Sequence, residues 1–467
     1  MAGSTYKRLT RRGLLASGVV LGAGVFAGCI GPSGPPRAAT TAASATTGPT
    51  GAGGAAPTSP TSAPAAAAPG VSSQAAGTLR IMRGSTTNNA FWDRTAASFR
   101  DKTGITVDWT ITTGTVEDGT VPTALKSGAG PDTVIVNAGP ARVGFLAQTG
   151  LIRPLNDGYT QYGWDSRLVP DLWDRLKNQS KIYEFPGAVD VIYWDYNKDV
   201  FTKVGIQPPN TFDELTANFD KLKSNAVYPI VLGVLSGFAG GWLFGNLLQA
   251  AAGKDAVADV LFAQGSWAQP EFVHAAQILQ DWAKKEYIPQ AATTLTDQQA
   301  IPLFINKQGA TYCTGTFAIP TLTDGKMDLE TVDTFVTPKI STAGSALPTG
   351  GFANSWVVAA NAKNPEAAYK WIDHVFSDEV VLDELNDPNN GTIPTVKTPA
   401  GAKPGRLVAK AIDVLNREGV GYNPSVHVAA SIVQVYYQSL QGLLGNQITP
   451  AQAMADVQAA KVKAAQP

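Results

Sequence analysis

The segment DVIYWDYNKDVF, Asp190–Phe201, places an acid before a run of aromatic and branched residues and ends that run in a polar turn. Side chains of a β-strand alternate between its two faces, so Val191 and Tyr193 are predicted to share one face. The opposite face would then carry Asp190, Ile192, Trp194 and Tyr196. We interpret Trp194 and Tyr196 as packing residues. Asp190 is open to two interpretations, a solvent-exposed or strand-capping acid and a wall of a binding site.

Strand-like and helix-like segments alternate on both sides of this run. Thr78–Gly84, TLRIMRG, alternates apolar and polar residues as a strand does, and 131–139, PDTVIVNAG, is an apolar run typical of a buried parallel strand. Thr211 and Glu214 form a capping box that predicts a helix start, and 270–286 is amphipathic. The alternation predicts an α/β fold with mostly parallel sheets, in two units.

Composition excludes several classes of function. The 467 residues carry a formal net charge of -1, which gives no electrostatic basis for binding nucleic acid or an anionic membrane. The three histidines are far apart, and Cys29 and Cys313 are the only cysteines, so neither a histidine-rich metal site nor a disulfide framework is expected. No GxSxG, P-loop or HExxH motif is present. We therefore expect no cofactor, no metal and no enzymatic activity.

No folded domain is predicted for the first 77 residues. Arg11 and Arg12 precede the apolar run 13–28, which is shorter than the ~20 residues of a membrane-spanning helix and resembles a twin-arginine export signal. FAGC, ending at Cys29, resembles a bacterial lipobox, with an ordinary signal peptide as the alternative. Residues 30–77 are rich in Ala, Gly, Pro, Ser and Thr and are predicted to be a disordered tether. This start predicts a protein outside the cytoplasm, anchored to the cell membrane through a lipid on residue 29.

Several motifs then follow in an order that resembles a known family. They are SFRDKTGITVDW, SGAGPDTVIVNAG, LAQTGLIRPLND, KIYEFPGAVDVIYWDYNKDVFTKVGIQPPNTFDEL, FINKQGATYCTGTF, GGFANSWVVAANAKNPEAAYKWIDHVFSDE and ITPAQAMADVQAA. Together they resemble the extracellular solute-binding proteins of ABC importers that include the maltodextrin-binding protein, a type II periplasmic-binding fold. The resemblance covers about residue 78 to the C-terminus. Phe317 stands where the family usually has Trp.

The resemblance implies two α/β lobes joined by crossing strands, with a ligand held in the cleft between them. The first lobe would comprise 78–189 and 338–393, and the second 190–337 and 394–467. Asp190 matches, by its spacing to Tyr196, an acid that binds sugar hydroxyls in the family, whereas Asn137 falls where maltodextrin-type proteins stack a Trp. The predicted ligand-binding residues are Ser85, Thr86, Asn137, Arg142, Asp190, Ser236, Phe238, Trp242, Thr316, Phe317, Gly350, Gly351, Phe352 and Asn354.

The implied function is capture of a sugar by lobe closure and its delivery to a membrane permease, by a protein that acts as a monomer. A polyol phosphate, a polyamine or a metal chelate on the same scaffold is an alternative cargo. A secreted glycosidase is a further alternative, but its chemistry needs two carboxylates roughly 5–10 Å apart. The predicted site residues include only one acid, Asp190.

Overall fold

The computed structural model describes residues 77–84, 89–174, 176–177 and 179–465. The predicted export signal, Cys29, the tether up to residue 76, Ser85 and Thr86 lie outside these ranges. Within them, no helix combines the length and the apolar character that crossing a membrane requires.

Two sheets organise the described residues. The first has the strand order β2-β1-β3-β10-β4, and the second β11-β9-β5-β7-β6, with β8 paired to β5. The strands are β1 Thr78–Gly84, β2 Thr106–Thr112, β3 Thr133–Asn137, β4 Phe185–Pro186, β5 Val189–Asn197, β6 Tyr228–Val231, β7 Gly309–Thr314, β8 Val332–Phe335, β9 Thr349–Phe352, β10 Asn354–Val358 and β11 Gly421–Tyr422. We call the part built on the first sheet the first lobe, and the part built on the second sheet the second lobe.

The prediction of mostly parallel sheets is wrong, because both sheets are mixed. β1 is parallel to β2 and β3, β6 to β7, and β9 to β11, but β5 is antiparallel to β7, β8 and β9, and β10 is antiparallel to β3 and β4. The chain leaves the first sheet through β4 and β5 and returns to it through β9 and β10. Because β5 leads away from the first sheet and β9 leads back to it alongside, the two strands must be antiparallel.

Helices pack against both sheets. They are α1 Asn89–Thr103, α2 Thr120–Lys126, α3 Phe145–Gln148, α4 Asn156–Tyr162, α5 Trp164–Arg167, α6 Pro170–Asp174, α7 Lys198–Val204, α8 Phe212–Ser224, α9 Phe238–Ala252, α10 Lys254–Phe262, α11 Pro270–Lys284, α12 Asp297–Ile305, α13 Ile319–Asp324, α14 Pro365–Val375, α15 Asp378–Asn386, α16 Arg406–Glu418, α17 Pro424–His427, α18 Ala430–Leu444 and α19 Pro450–Ala464. A π-helical turn occupies Pro140–Gly144. Short 3-10 turns occupy Gln290–Thr293, Thr316–Ala318 and Leu329–Thr331.

Local sequence signals place several of these helix starts. Thr211 and Glu214 form the predicted capping box at the start of α8, because the Thr211 side chain accepts a hydrogen bond from the Glu214 N–H. The Asn364 side chain likewise accepts from the Ala367 N–H and starts α14.

Strand β5 is buried on both of its faces. Val191 and Tyr193 lie in one hydrophobic cluster, while Ile192, Trp194 and Tyr196 lie in another. The Trp194 Nε1–H donates to Thr337 Oγ1 at 2.8 Å. The predicted packing role of Trp194 and Tyr196 is therefore confirmed, and the alternation serves two cores rather than a core and a solvent face.

Cys313 lies on β7 and is completely enclosed by the second lobe. The thiol is 1% exposed, and Asn246 Nδ2 donates a hydrogen bond to its Sγ at 3.3 Å. Burial raises the pKa of the thiol to about 12. Cys313 is therefore a core residue of the second lobe.

Candidate functional site

A cavity of about 470 Å³ lies between the two sheets, where the chain crosses from one to the other. The first lobe contributes Met82, Gly84, Phe91, Trp92, residues 112–117, 134–137, Asn354 and Trp356 to its wall, among others. The second lobe contributes Phe238, Trp242, Asp297, Gln298, Ile301, Tyr312 and Phe317. Residues 187–190, Ala353 and 390–393, in the crossing segments, form the floor.

Asp190 occupies the point where β5 enters the second sheet. Its backbone pairs with Gly351, and its half-buried side chain lines the cavity. Within the described ranges, the carboxylate has neither a hydrogen-bond partner nor an ion-pair partner. The protein surrounding it removes most of its water, and this burial raises the pKa of Asp190 to about 7. Asp190 is thus an acceptor whose lone pairs remain available to a guest.

Three aromatic rings of the second lobe form a platform in the same cavity. Phe238 and Trp242 lie in the first turns of α9, and Phe317 lies in the turn that follows β7. The ring centroids of Trp242 and Phe317 are 5.0 Å apart, and those of Phe238 and Trp242 are 6.4 Å apart. All three side chains are half-buried and line the cavity. The rings of Phe238 and Trp242 are tilted by 31° to one another and those of Trp242 and Phe317 by 55°, so they present separate apolar faces, each of which suits the C–H face of a sugar ring.

Charge in the cavity wall is carried by acids. Asp297 accepts a hydrogen bond from Ser236 Oγ at 3.3 Å, and burial raises the pKa of its carboxyl. Burial also raises the pKa of Glu384, on α15, to about 7. Among the described lining residues there is no Lys, Arg or His, and the sequence of 85–88, Ser-Thr-Thr-Asn, contains none either. An anionic guest would therefore meet no compensating positive charge in this wall.

Arg142, a predicted ligand residue, lies behind the wall instead of in it. Its side chain is 1% exposed, and its Nε donates to Glu117 Oε1 at 2.6 Å. Its remaining donors face the second lobe, where Nη1 donates to the Ser425 carbonyl at 2.9 Å. Its guanidinium is therefore engaged by protein groups.

Six predicted ligand residues line the cavity together: Asn137, Asp190, Phe238, Trp242, Phe317 and Asn354. Four others lie just outside its wall. Ser236 donates to Asp297, and Thr316 Oγ1 donates to the Gly391 carbonyl at 2.8 Å. Gly350 and Gly351 pair with β5, and a Cβ at Gly350 would stand 2.3 Å from the Asp190 carbonyl oxygen. Phe352 is buried and lines a different cavity.

The cavity also contains residues that the sequence did not single out. They are Trp92, Asp297, Tyr312, Trp356, Glu384 and the loop 112–117. Trp92 lies at a helical spacing that predicts a core residue, and its ring does pack 5.7 Å from that of Trp356. Asp297 follows the first residue of a Thr296-x-x-Gln299 capping box, a signal that could have located a polar helix start.

Comparison with known proteins agrees with this architecture. The family model described as Bacterial extracellular solute-binding protein matches residues 83–381, well over half of the chain. An uncharacterized ABC transporter extracellular-binding protein of Pyrococcus horikoshii is 23% identical over 70% of this chain and 72% of its own length. The alpha-glucosides-binding periplasmic protein AglE of Rhizobium meliloti is 28% identical, but the match spans only 33% of this chain and 35% of that protein.

Solved structures show the same fold. A chitin oligosaccharide binding protein superposes with a TM-score of 0.73 at 22% identity, covering 83% of this chain and 99% of its own. An ABC transporter solute binding protein from Thermotoga lettingae, bound with α-D-tagatose, gives a TM-score of 0.65 at 20% identity over 82% and 98%. The α/β fold is therefore the two-lobe fold of periplasmic sugar-binding proteins. These relatives are binding proteins and not enzymes.

Proposed function

Because the chain belongs to the bacterial extracellular solute-binding proteins, we propose that it captures a carbohydrate outside the cytoplasm and delivers it to the permease of an ABC transporter. The observation that carries this proposal is the pairing of an unpartnered acid, Asp190, with the platform of Phe238, Trp242 and Phe317 in one cavity. Relatives named for alpha-glucosides, chitin oligosaccharide and tagatose support a sugar.

The two kinds of group complement a sugar in different ways. Ring faces cover its C–H patches and contribute on the order of 1 kcal/mol each beyond the burial of area. A hydroxyl that donates to the Asp190 carboxylate contributes about 1.5–3 kcal/mol. A few such contacts reach the roughly −8 kcal/mol of a micromolar complex once the cost of association is subtracted. The amides of Asn137 and Asn354 add neutral donors and acceptors at the rim.

The acidic wall narrows the class of cargo. A polyol phosphate or a sugar acid would have to lose its hydration beside Asp190, Asp297 and Glu384 without a cation to replace it. An uncharged sugar carries no such cost. An amine-bearing solute such as a polyamine is the second candidate, because the same carboxylates would attract it.

Thermal-shift measurements on the purified protein test the cargo. We expect neutral mono- or oligosaccharides to stabilise it, by about 2.7 kcal/mol at a concentration 100 times the dissociation constant. Matched uronic acids and sugar phosphates should give no shift. A shift with polyamines alone would replace the sugar by the second candidate, and release of shorter products from oligosaccharides would contradict the binding-only function.

Capture requires contacts from both lobes. The floor of the cavity is made of crossing segments, so rotation about them changes the distance between the two walls. A sugar that touches both walls stabilises the closed form in proportion to its preference for that form. The lobe borders 78–189 with 338–393 and 190–337 with 394–467 remain predictions, as does the monomeric state.

We further propose that the mature protein is anchored by a lipid on Cys29, in the FAGC motif, and reaches outward through the tether of residues 30–77. Mass spectrometry of the membrane fraction should find an acylated N-terminal cysteine and no residues before it. A Cys29→Ala variant should leave the membrane fraction. Unmodified Cys29 or cleavage at another residue would overturn the anchor and leave the cargo proposal untouched.

A further inference from the structure

Arg142 belongs to the π-helical turn Pro140–Gly144, which directly follows strand β3 of the first lobe. Most arginines lie at the surface, yet this side chain is 1% exposed. Burying a guanidinium is costly unless its donors are satisfied and its charge is compensated. Its partners should therefore reveal what the burial achieves.

Those partners come from both lobes. Glu117, in the loop before α2 of the first lobe, compensates the charge at 2.6 Å. The second lobe supplies the Ser425 carbonyl to Nη1 at 2.9 Å, the Tyr437 hydroxyl to Nη2 at 3.5 Å, and the ring of Phe238, whose centroid is 5.6 Å from Cζ. One side chain of the first lobe thus makes three contacts with the second.

The neighbours of Arg142 make the same crossing. Ala141 is 1% exposed and lies in the hydrophobic cluster of the second lobe. Gly139 approaches the Val426 carbonyl so closely that an added Cβ would stand 1.8 Å from that oxygen. The segment 139–142 therefore contacts the second lobe in three ways: through the backbone of Gly139, the apolar side chain of Ala141 and the charged side chain of Arg142.

We propose that Arg142 is a positioning residue that holds the two lobes together above the cavity without cargo, and that it fixes the ring of Phe238 for stacking. This role goes beyond cargo capture and does not depend on which solute binds. The guanidinium fork joins Glu117 to Ser425 and Tyr437 only while the lobes touch. Arg142 therefore favours the closed form whether or not cargo is bound, and it sets how much of the cargo-free protein is closed.

Distance measurements on the cargo-free protein test this role. Spin labels are placed at two exposed positions, Lys126 on α2 of the first lobe and Lys203 on α7 of the second. Arg142→Met keeps an unbranched apolar stem, although a shorter one, and removes the charge and the guanidinium donors, whereas Arg142→Lys keeps only the charge. We expect the Met variant to shift to a longer, broader distance distribution, with the closed fraction at least roughly tenfold smaller, and the Lys variant to fall between.

Arg167→Met is the matched control, because Arg167 is ion-paired to Asp373 within the first lobe. It should keep the distances of the parent protein. Circular dichroism verifies that each variant is folded, and if the Met variant is not, the Lys variant decides. A parent that is open without cargo, or an Arg142 variant with the parent distances, would overturn the role. Either result leaves sugar binding by the thermal-shift screen unaffected.

Discussion

At pH 8, where the Asp190 carboxyl is ionised, replacing Asp190 with Asn is expected to weaken cargo binding by about 10- to 100-fold, because a charged acceptor in the cavity becomes a neutral amide. The same change should make the cargo-free protein more stable near pH 8. Both effects have one origin, an acid that the cavity holds without a partner. The variant therefore shows separately what Asp190 contributes to cargo affinity and what it costs in the free energy of unfolding.

The sign of the pH dependence follows from the raised pKa of Asp190. In the unfolded chain this carboxyl ionises near pH 3.8, whereas in the folded protein it ionises near pH 7. Between these values the unfolded state releases the proton that the folded state retains, so the folded state loses stability as pH rises. The difference between the two pKa values corresponds to about 4 kcal/mol, and water in the open cavity screens this to about 2 kcal/mol.

Chemical denaturation at pH 4 and pH 8 measures the effect. Asp190→Asn and the parent should have similar free energies of unfolding at pH 4, and the variant should be about 2 kcal/mol more stable at pH 8. Asp108→Asn, an exposed position on the edge strand β2, is the control and should show no such gain. Undiminished sugar affinity in Asp190→Asn would remove Asp190 from the binding site.

Gly139→Ala is expected to keep the lobes apart and to weaken cargo binding about 100-fold or more. Gly139 has φ +104°, and a Cβ there would stand 1.8 Å from the Val426 carbonyl oxygen of the other lobe. Both the backbone and the neighbouring atom are rigid, so only separation of the lobes relieves the overlap. The closed form then becomes a minor state, and the apparent affinity falls with its population.

Gly119→Ala provides a close control for this prediction. Gly119 also has a positive φ, +83°, but an added Cβ would meet no atom within 4 Å. It should cost roughly 1–2 kcal/mol of stability through backbone strain alone and leave affinity unchanged. Small-angle scattering should show a larger radius of gyration for Gly139→Ala only. Equal affinity losses in both variants would mean that strain, and not closure, explains the result.

The sequence was most informative where a pattern has a short-range cause. The strand period of 2 correctly assigned Val191 and Trp194 to different faces, and the capping box at Thr211 correctly started α8. The order of family motifs placed Asp190, Phe238 and Phe317 in one cavity although they are far apart in the chain. Their contact with a sugar remains a prediction.

The sequence could not predict features that depend on how distant parts of the chain pack together. Trp92 and Glu384 reach the cavity from helices whose patterns indicate core and surface, and no local rule says which turn of a helix meets a cavity. Arg142 was predicted to contact the ligand, yet its guanidinium group donates hydrogen bonds to Glu117 and to the Ser425 carbonyl. That choice depends on how closely the lobes approach. The antiparallel pairing of β9 with β5, and of β10 with β3 and β4, is also a long-range feature, because it follows from the return of the chain to the first sheet.

The enclosure of Cys313 gives the folded protein a practical property. Its thiol is buried and its pKa is raised to about 12, so at neutral pH it resists maleimides and other alkylating dyes. In a variant without Cys29, a single cysteine introduced at Thr113, an exposed residue on the cavity rim, would be the only thiol to react. A fluorophore attached there would report occupancy of the cavity optically, which makes the chain a ready scaffold for a reagentless biosensor.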